Sequence, residues 1–266
     1  MKIGCCVGMG AQDANKIGAD RIEILARLGY DYVELPMARM MALSDRGFAD
    51  LVLTVERSGL PCLAVSSYFP TDMRITGPTP TDRDDIKAYI SKSLDRATRL
   101  GAQTAVFGSG WARNIPEGYS YQAAWTQLID VFRMADDLIG GRDITIAIEP
   151  LNKKESNIIL TMAEGLTLAK DIARPRVGLL SDYYHQILEN ESMEIIAEAA
   201  GYLQHAHIAN PAERVWPKVG DGVDYRSFLG ALQSAGYSGG VSVEAFTNDF
   251  ENDAREALSV LRGNIM

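Results

Sequence analysis

Cysteine is scarce in this chain and arranged for no bridge. Cys5, Cys6 and Cys62 make an odd count without C-x-x-C spacing, so neither a disulfide framework nor a sulfur-rich zinc site is expected. Neighbours in a strand point to opposite faces, and Cys5 and Cys6 read as reduced core thiols. Basic charge is also short. Against 35 Asp and Glu stand 26 Lys and Arg, for a net charge of -9, and no local run of Lys or Arg interrupts that balance. Such a surface repels a phosphate backbone, which excludes nucleic acid as a partner. No apolar run approaches the ~18 residues of a membrane span, and no charged-then-apolar leader opens the chain. The expectation is a cytoplasmic protein without a membrane partner. Histidine is as scarce as cysteine: His185, His205 and His207 are all there are.

What is present is a repeating unit. With 266 residues, 47% of them apolar, the chain can bury a substantial core and fits one (β/α)8 barrel domain over residues 1–266. Short apolar runs at 2–7, 32–35, 62–66, 104–108, 144–148, 177–182, 203–208 and 240–245 lack the apolar/polar alternation of a half-wet strand. They read as strands of a parallel sheet covered on both faces. Between them lie amphipathic segments at 20–28, 48–58, 82–100, 121–139, 162–172, 190–199, 225–235 and 250–262. Gly29, Gly59 and Gly101 stand where helices should stop. Thr81 is the expected cap of the third of these segments, and Thr161 with Glu164 forms a capping-box pattern. Eight strands alternating with eight helices close into a TIM barrel through right-handed crossovers. Two long loops, 67–80 and 108–120, fall after the third and fourth strands. Small residues before Trp111 in the second would let a ligand approach backbone.

The last four strands end in polar groups. Glu149 closes the fifth, before Pro150 and Asn152; Asp182 closes the sixth, with His185 three residues on; His205 and His207 lie in the seventh and Glu244 in the eighth. A barrel brings these ends to one mouth. Three carboxylates converging in a half-buried site repel one another, and a divalent cation with hard oxygen ligands and one imidazole relieves that repulsion. The two-residue strand period places His205 and His207 on the same side. Either can be the ligand and the other a donor that orients it.

These residues resemble a known family. Glu149-Pro150-Leu151-Asn152, Ser181-Asp182-Tyr183-Tyr184-His185, His205-Ala206-His207-Ile208-Ala209-Asn210 and Val243-Glu244 are similar, in order and spacing, to the metal-binding segments of the xylose isomerase-like sugar isomerases and epimerases. The ketose 3-epimerases fit best. The resemblance implies that Glu149, Asp182, His207 and Glu244 hold one divalent metal: manganese first, magnesium or cobalt as replacements, zinc behind them. It implies a small-molecule sugar substrate contacted by Glu155, His185 and Arg214, and Trp111 is added as a contact from its loop. Two features depart from the epimerase pattern. Lys153-Lys154 stands where those enzymes carry Arg-Phe, and Arg214 lies one residue further from His207.

Glu149 and Glu244 are the expected acid/base pair. They stand three strands apart in the ring and can flank a substrate whose enediolate is protonated from either face. Hydroxypyruvate isomerases and inosose dehydratases share the ligand frame and remain alternatives. A sugar-binding barrel without turnover would be expected to lack one of the flanking carboxylates, and both are present. The related abasic-site endonucleases need more histidines than this chain has, and its charge opposes DNA. The sequence leaves a homo-oligomer open.

Overall fold

The computed structural model describes residues 1–265. Its eight strands are β1 (Lys2–Cys6), β2 (Tyr32–Pro36), β3 (Cys62–Ser66), β4 (Thr104–Phe107), β5 (Thr145–Ile148), β6 (Val177–Asp182), β7 (Leu203–Ile208) and β8 (Gly240–Val243). Each pairs in parallel with the next, and β8 returns to β1, so the sheet closes in sequence order. The strand runs expected from apolar pattern all form, within one or two residues at their ends.

Eleven α-helices are present among the described residues. They are α1 (Ile22–Leu28), α2 (Met37–Met41), α3 (Asp45–Ser58), α4 (Arg83–Leu100), α5 (Gly110–Arg113), α6 (Tyr121–Ile139), α7 (Met162–Ile172), α8 (Tyr183–Leu188), α9 (Glu194–Glu198), α10 (Tyr225–Ser234) and α11 (Phe250–Asn264). The long ones bury one stripe. In α4, Ile86, Ile90, Leu94 and Ala97 recur at helical spacing against the sheet, each large side chain contributing roughly 1.5–3 kcal/mol of burial. None of the described helices is long and apolar enough to cross a membrane.

Local chemistry corrects several boundaries. Asp82, not Thr81, caps α4, its Oδ1 accepting from the Asp84 amide at 2.8 Å. Thr81 instead closes the preceding loop, accepting from the Arg74 amide at 2.9 Å. At α7 the Thr161 hydroxyl accepts from the Glu164 amide as the capping box requires, but Glu164 reaches back to the Leu160 amide. Ser44 caps α3, which therefore starts three residues before the expected Phe48. The expected helix at 190–199 is broken: Asn190 adopts φ 53°, and only Glu194–Glu198 is helical. Asp182 starts α8 directly after β6, a helix the sequence reading lacks because Tyr-Tyr-His carries no apolar stripe.

The two long loops clasp each other. Ile75 donates to the Ala112 carbonyl at 2.7 Å, Thr76 to the Arg113 carbonyl at 2.9 Å, and Arg74 to the Trp111 carbonyl. Tyr68 and Phe69 are buried, Tyr68 stacking on Phe107 at 4.0 Å between ring centroids. The loops form an ordered wall on one side of the barrel mouth.

The barrel interior follows from strand parity. Val106, Ala147 and Leu180 form a small apolar cluster apart from the main core; Val106 is the register partner of Ala147, and Ala147 and Leu180 stand two residues before Glu149 and Asp182. Below them Tyr32 fills the floor. A Cβ on Gly4 would lie 2.2 Å from the Tyr32 ring, so a glycine there is a steric requirement of that tyrosine. Gly4→Ala is expected to destabilise the protein by about 1–3 kcal/mol through overpacking. Gly263→Ala, with nothing within 4 Å of the new Cβ, should be neutral or slightly stabilising. Urea denaturation of both variants measures the difference; equal stabilities would show that the floor yields freely.

Candidate metal centre and substrate pocket

Strand ends bring the expected ligands together. His207, fully buried on β7, points Nδ1 at three carboxylates: Glu244 Oε2 at 3.1 Å, Glu149 Oε1 at 3.2 Å and Asp182 Oδ2 at 3.8 Å. One donor atom from each of the four lies within 4.8 Å of the others. Donors at right angles around an ion about 2.1 Å away stand about 3.0 Å apart, and opposite donors about 4.2 Å. The spacing and the oxygen-rich set therefore fit a hard divalent ion. A sulfur-seeking ion fits less well.

Each carboxylate is held from behind. Asp182 keeps Oδ2 toward the centre because Oδ1 accepts from the Tyr184 amide at 2.7 Å and the His185 amide at 3.3 Å, at the start of α8. Glu149 is anchored through its backbone carbonyl, which accepts from Arg113 Nη2 at 2.7 Å. Its carboxylate occupies the space left by Gly108, where a Cβ would fall 1.6 Å from Oε2. The small residue expected to admit a ligand there makes room for Glu149. Glu244 accepts from Arg214 Nη2 at 2.6 Å.

These surroundings separate the two glutamates electrostatically. Burial, then repulsion from Glu244, pushes the Glu149 carboxyl above its ordinary range. Burial acts on Glu244 too, but the attraction of Arg214 and His207 outweighs it and lowers the carboxyl to about 2. Burial also raises Asp182, against the opposing pull of Arg214 and His207. Burial disfavours the charged form of His207, yet the carboxylate of Glu34 more than offsets this and raises it well above the usual histidine range.

The remaining expected contacts form a rim. His185 is buried, and its Nδ1 faces the Asn152 amide at 3.1 Å and Asn152 Nδ2 at 2.8 Å. A backbone N–H can only donate, so the His185 proton sits on Nε2. That nitrogen has no hydrogen-bond partner and lies 3.7 Å from Asp182 Oδ2. Burial lowers the His185 pKa to about 4, so the ring is a neutral donor. Arg214 spans from Glu244 to Glu155 Oε1 at 3.3 Å and lies 4.7 Å above the Tyr184 ring. Glu213 and Arg214 are both left-handed, with φ 64° and 53°. That turn carries the guanidinium into the mouth despite the longer spacing from His207. Lys153 and Lys154 are exposed.

Trp111 stands at the opposite side. Its indole N–H is taken by the Phe69 and Pro70 carbonyls at 3.2 and 3.0 Å, which leaves the ring face. With Phe69, Cys6, Ser66 and Glu244 it lines a cavity of about 560 Å³. The sequence reading missed Glu34 and Asn152 as functional positions. A single charge inside the apolar run Tyr32-Val33-Glu34-Leu35 was the available signal for Glu34, since a buried strand tolerates a carboxylate only when it is paired.

A family model described as a xylose isomerase-like TIM barrel matches residues 22–264. The chain is 24% identical over 235 residues to D-psicose 3-epimerase of Ruminiclostridium cellulolyticum, covering 85% of this chain and 77% of that protein. It is 29% identical over 262 residues to a probable ketose 3-epimerase of Synechocystis sp., covering 95% and 84%. The fold is similar to a crystal structure of D-psicose 3-epimerase in the presence of D-fructose, with a TM-score of 0.86 at 21% identity over 100% of this chain and 99% of the other. With its closed eight-stranded barrel and the four buried side chains at one end, the chain belongs to the xylose isomerase-like TIM barrel family.

Proposed function

We propose that this protein is a metal-dependent isomerase that inverts carbon 3 of a ketose, with Glu149 and Glu244 as the acid/base pair. The observation that carries this reading is the position of two carboxylates around one imidazole nitrogen, at 3.2 and 3.1 Å, directly after strands β5 and β8, which stand three strands apart in the ring. Ketose 3-epimerases among the relatives support the substrate class.

Glu149, Asp182, His207 and Glu244 would hold the ion. When bound, a divalent ion supplies Lewis acidity to the substrate oxygen that becomes negative as hydrogen leaves the adjacent carbon. Removing the hydrogen from carbon 3 leaves its electron pair shared with the carbon 2 carbonyl as an enediolate. One glutamate accepts that proton; the other delivers a proton to the opposite face, and the centre inverts. In the reverse direction the roles exchange. Arg214 touches Glu244 alone of the pair, which favours Glu244 as the ionised base and Glu149 as the acid in the first half-reaction. His185 Nε2–H and the Arg214–Glu155 pair are placed to bind the sugar hydroxyls, and the Trp111 face to cover its carbon skeleton. The cavity lined by Trp111 and Glu244, about 560 Å³, has room for a monosaccharide.

Metal removal should lower thermal stability. At free metal near 100 times Kd the stabilisation is about 2.7 kcal/mol, or roughly 5–10 °C in Tm for a chain of this size. The difference should widen as pH rises. Without metal, Glu149, Asp182 and His207 all have raised folded-state pKa values, so the folded state binds excess protons and loses stability as they leave. The depressed Glu244 contributes stability that is fully present across this range and is lost only as pH falls toward about 2. Melting curves with and without chelator between about pH 5 and 8 measure this, and a gap that narrows toward high pH would contradict it.

Single Glu→Gln variants separate two-base inversion from one-base isomerisation. With metal content confirmed, Glu149→Gln should lose about 10²–10⁴-fold in inversion. It should still exchange the carbon-bound proton of one epimer with heavy water while leaving the other inert. Glu244→Gln should show the reverse preference. Inversion retained in both variants would exclude the two-base mechanism.

A further inference from the structure

Beneath the four-residue centre lies a fourth carboxylate that the reaction just described does not use. Glu34 on β2 has no exposed surface, and no Lys or Arg pairs with it among the described residues. A carboxylate left alone in such a place costs several kcal/mol. Its two oxygens are instead taken by imidazoles and a hydroxyl. Oε1 lies 3.0 Å from His207 Nε2. Oε2 lies 2.7 Å from His205 Nε2 and accepts from Ser242 Oγ at 2.6 Å. Ser242 lies 2.7 Å from the Tyr32 hydroxyl.

We infer that Glu34 is a positioning residue for the metal centre: it holds the proton of His207 on Nε2 and so presents a bare Nδ1 lone pair to the ion. This rests on the metal reading above. Neutral imidazole has two tautomers, and only the one protonated on Nε2 can use Nδ1 as a ligand. Water would leave the choice nearly open. A carboxylate acceptor 3.0 Å from Nε2 settles it, fixes the ring plane and makes Nδ1 a stronger base. His205 is the counterpart on the other oxygen: together with Ser242 it stops the carboxylate from rotating away. His205 and His207 therefore share one side of β7 with different duties, one as ligand and one as support for the ligand's partner. Tyr32 extends the chain of hydrogen bonds to the barrel floor, so the ligand geometry is tied to the packed ring of that tyrosine.

The test is metal affinity measured by calorimetry on the full-length protein without substrate, using manganese and zinc. Glu34→Gln removes the charge at constant shape and should weaken binding by about 10–100-fold. Ser242→Ala keeps the charge, loses one orienting bond and should weaken it by a smaller factor. Histidine-labelled, zinc-loaded protein adds a readout that a merely structural role would not move. Long-range ¹H–¹⁵N spectra should show His207 protonated on Nε2 in the unaltered protein and a loss of that single tautomer in Glu34→Gln. If Glu34→Gln does not fold, Ser242→Ala carries the same test through affinity and spectrum. Unchanged affinity and an unchanged His207 tautomer in a folded variant would overturn the role of Glu34 alone. An unaltered protein that binds neither metal would overturn the metal centre and this role together.

Discussion

Three buried carboxylates around one imidazole nitrogen set the terms for the rest of this molecule. Glu149 and Asp182 are pushed toward their neutral forms by burial, while Glu244 remains ionised only because Arg214 and His207 attend it. Such a cluster opposes folding unless a cation is present or protons are taken up. The fold meets this cost with rigid supports: a helix start behind Asp182, a backbone clamp from Arg113 behind Glu149, a missing side chain at Gly108 and a guanidinium on Glu244. None of these supports is itself a ligand. Each removes the freedom of a carboxylate to swing away from its neighbours, which preorganises the centre for an ion.

The two sides of the mouth then divide the work. On the side of β5 to β8, Asn152, Glu155, His185 and Arg214 form a connected polar rim in which the His185 Nε2–H is left for a ligand. On the side of β3 and β4, the clasped loops present Phe69 and Trp111, whose polar groups are already satisfied. A sugar has hydroxyls on its edges and apolar C–H faces, so a polar rim opposite an aromatic wall is the complement it needs.

Much of this was legible in the sequence because the barrel is locally encoded. Apolar runs without alternation located all eight strands, and glycines marked several helix ends. The polar residues at the ends of β5 to β8 converge at one mouth simply because a closed parallel barrel brings strand ends together. Glu34 was missed because it lies inside a strand rather than at its end, and its partners are 171 and 173 residues away in sequence. Helix α8 was missed because its start is dictated by the side chain of Asp182 rather than by an apolar stripe. Thr81 lost the capping role to Asp82 because its hydroxyl is engaged in closing the loop. In each case a side-chain hydrogen bond decided what the apolar pattern could not.

The measurement that bears most directly on the central claim is the fate of hydrogen at carbon 3. Metal-loaded protein incubated with free ketoses in heavy water, followed by NMR of the sugars, should yield a pair of epimers related by inversion at carbon 3. Each should carry one solvent deuterium at that carbon, and none should appear at carbon 1. A carbonyl that migrates along the chain with deuterium at carbon 1 or 2, or bound metal with no exchange at carbon 3 in any ketose, would contradict the account.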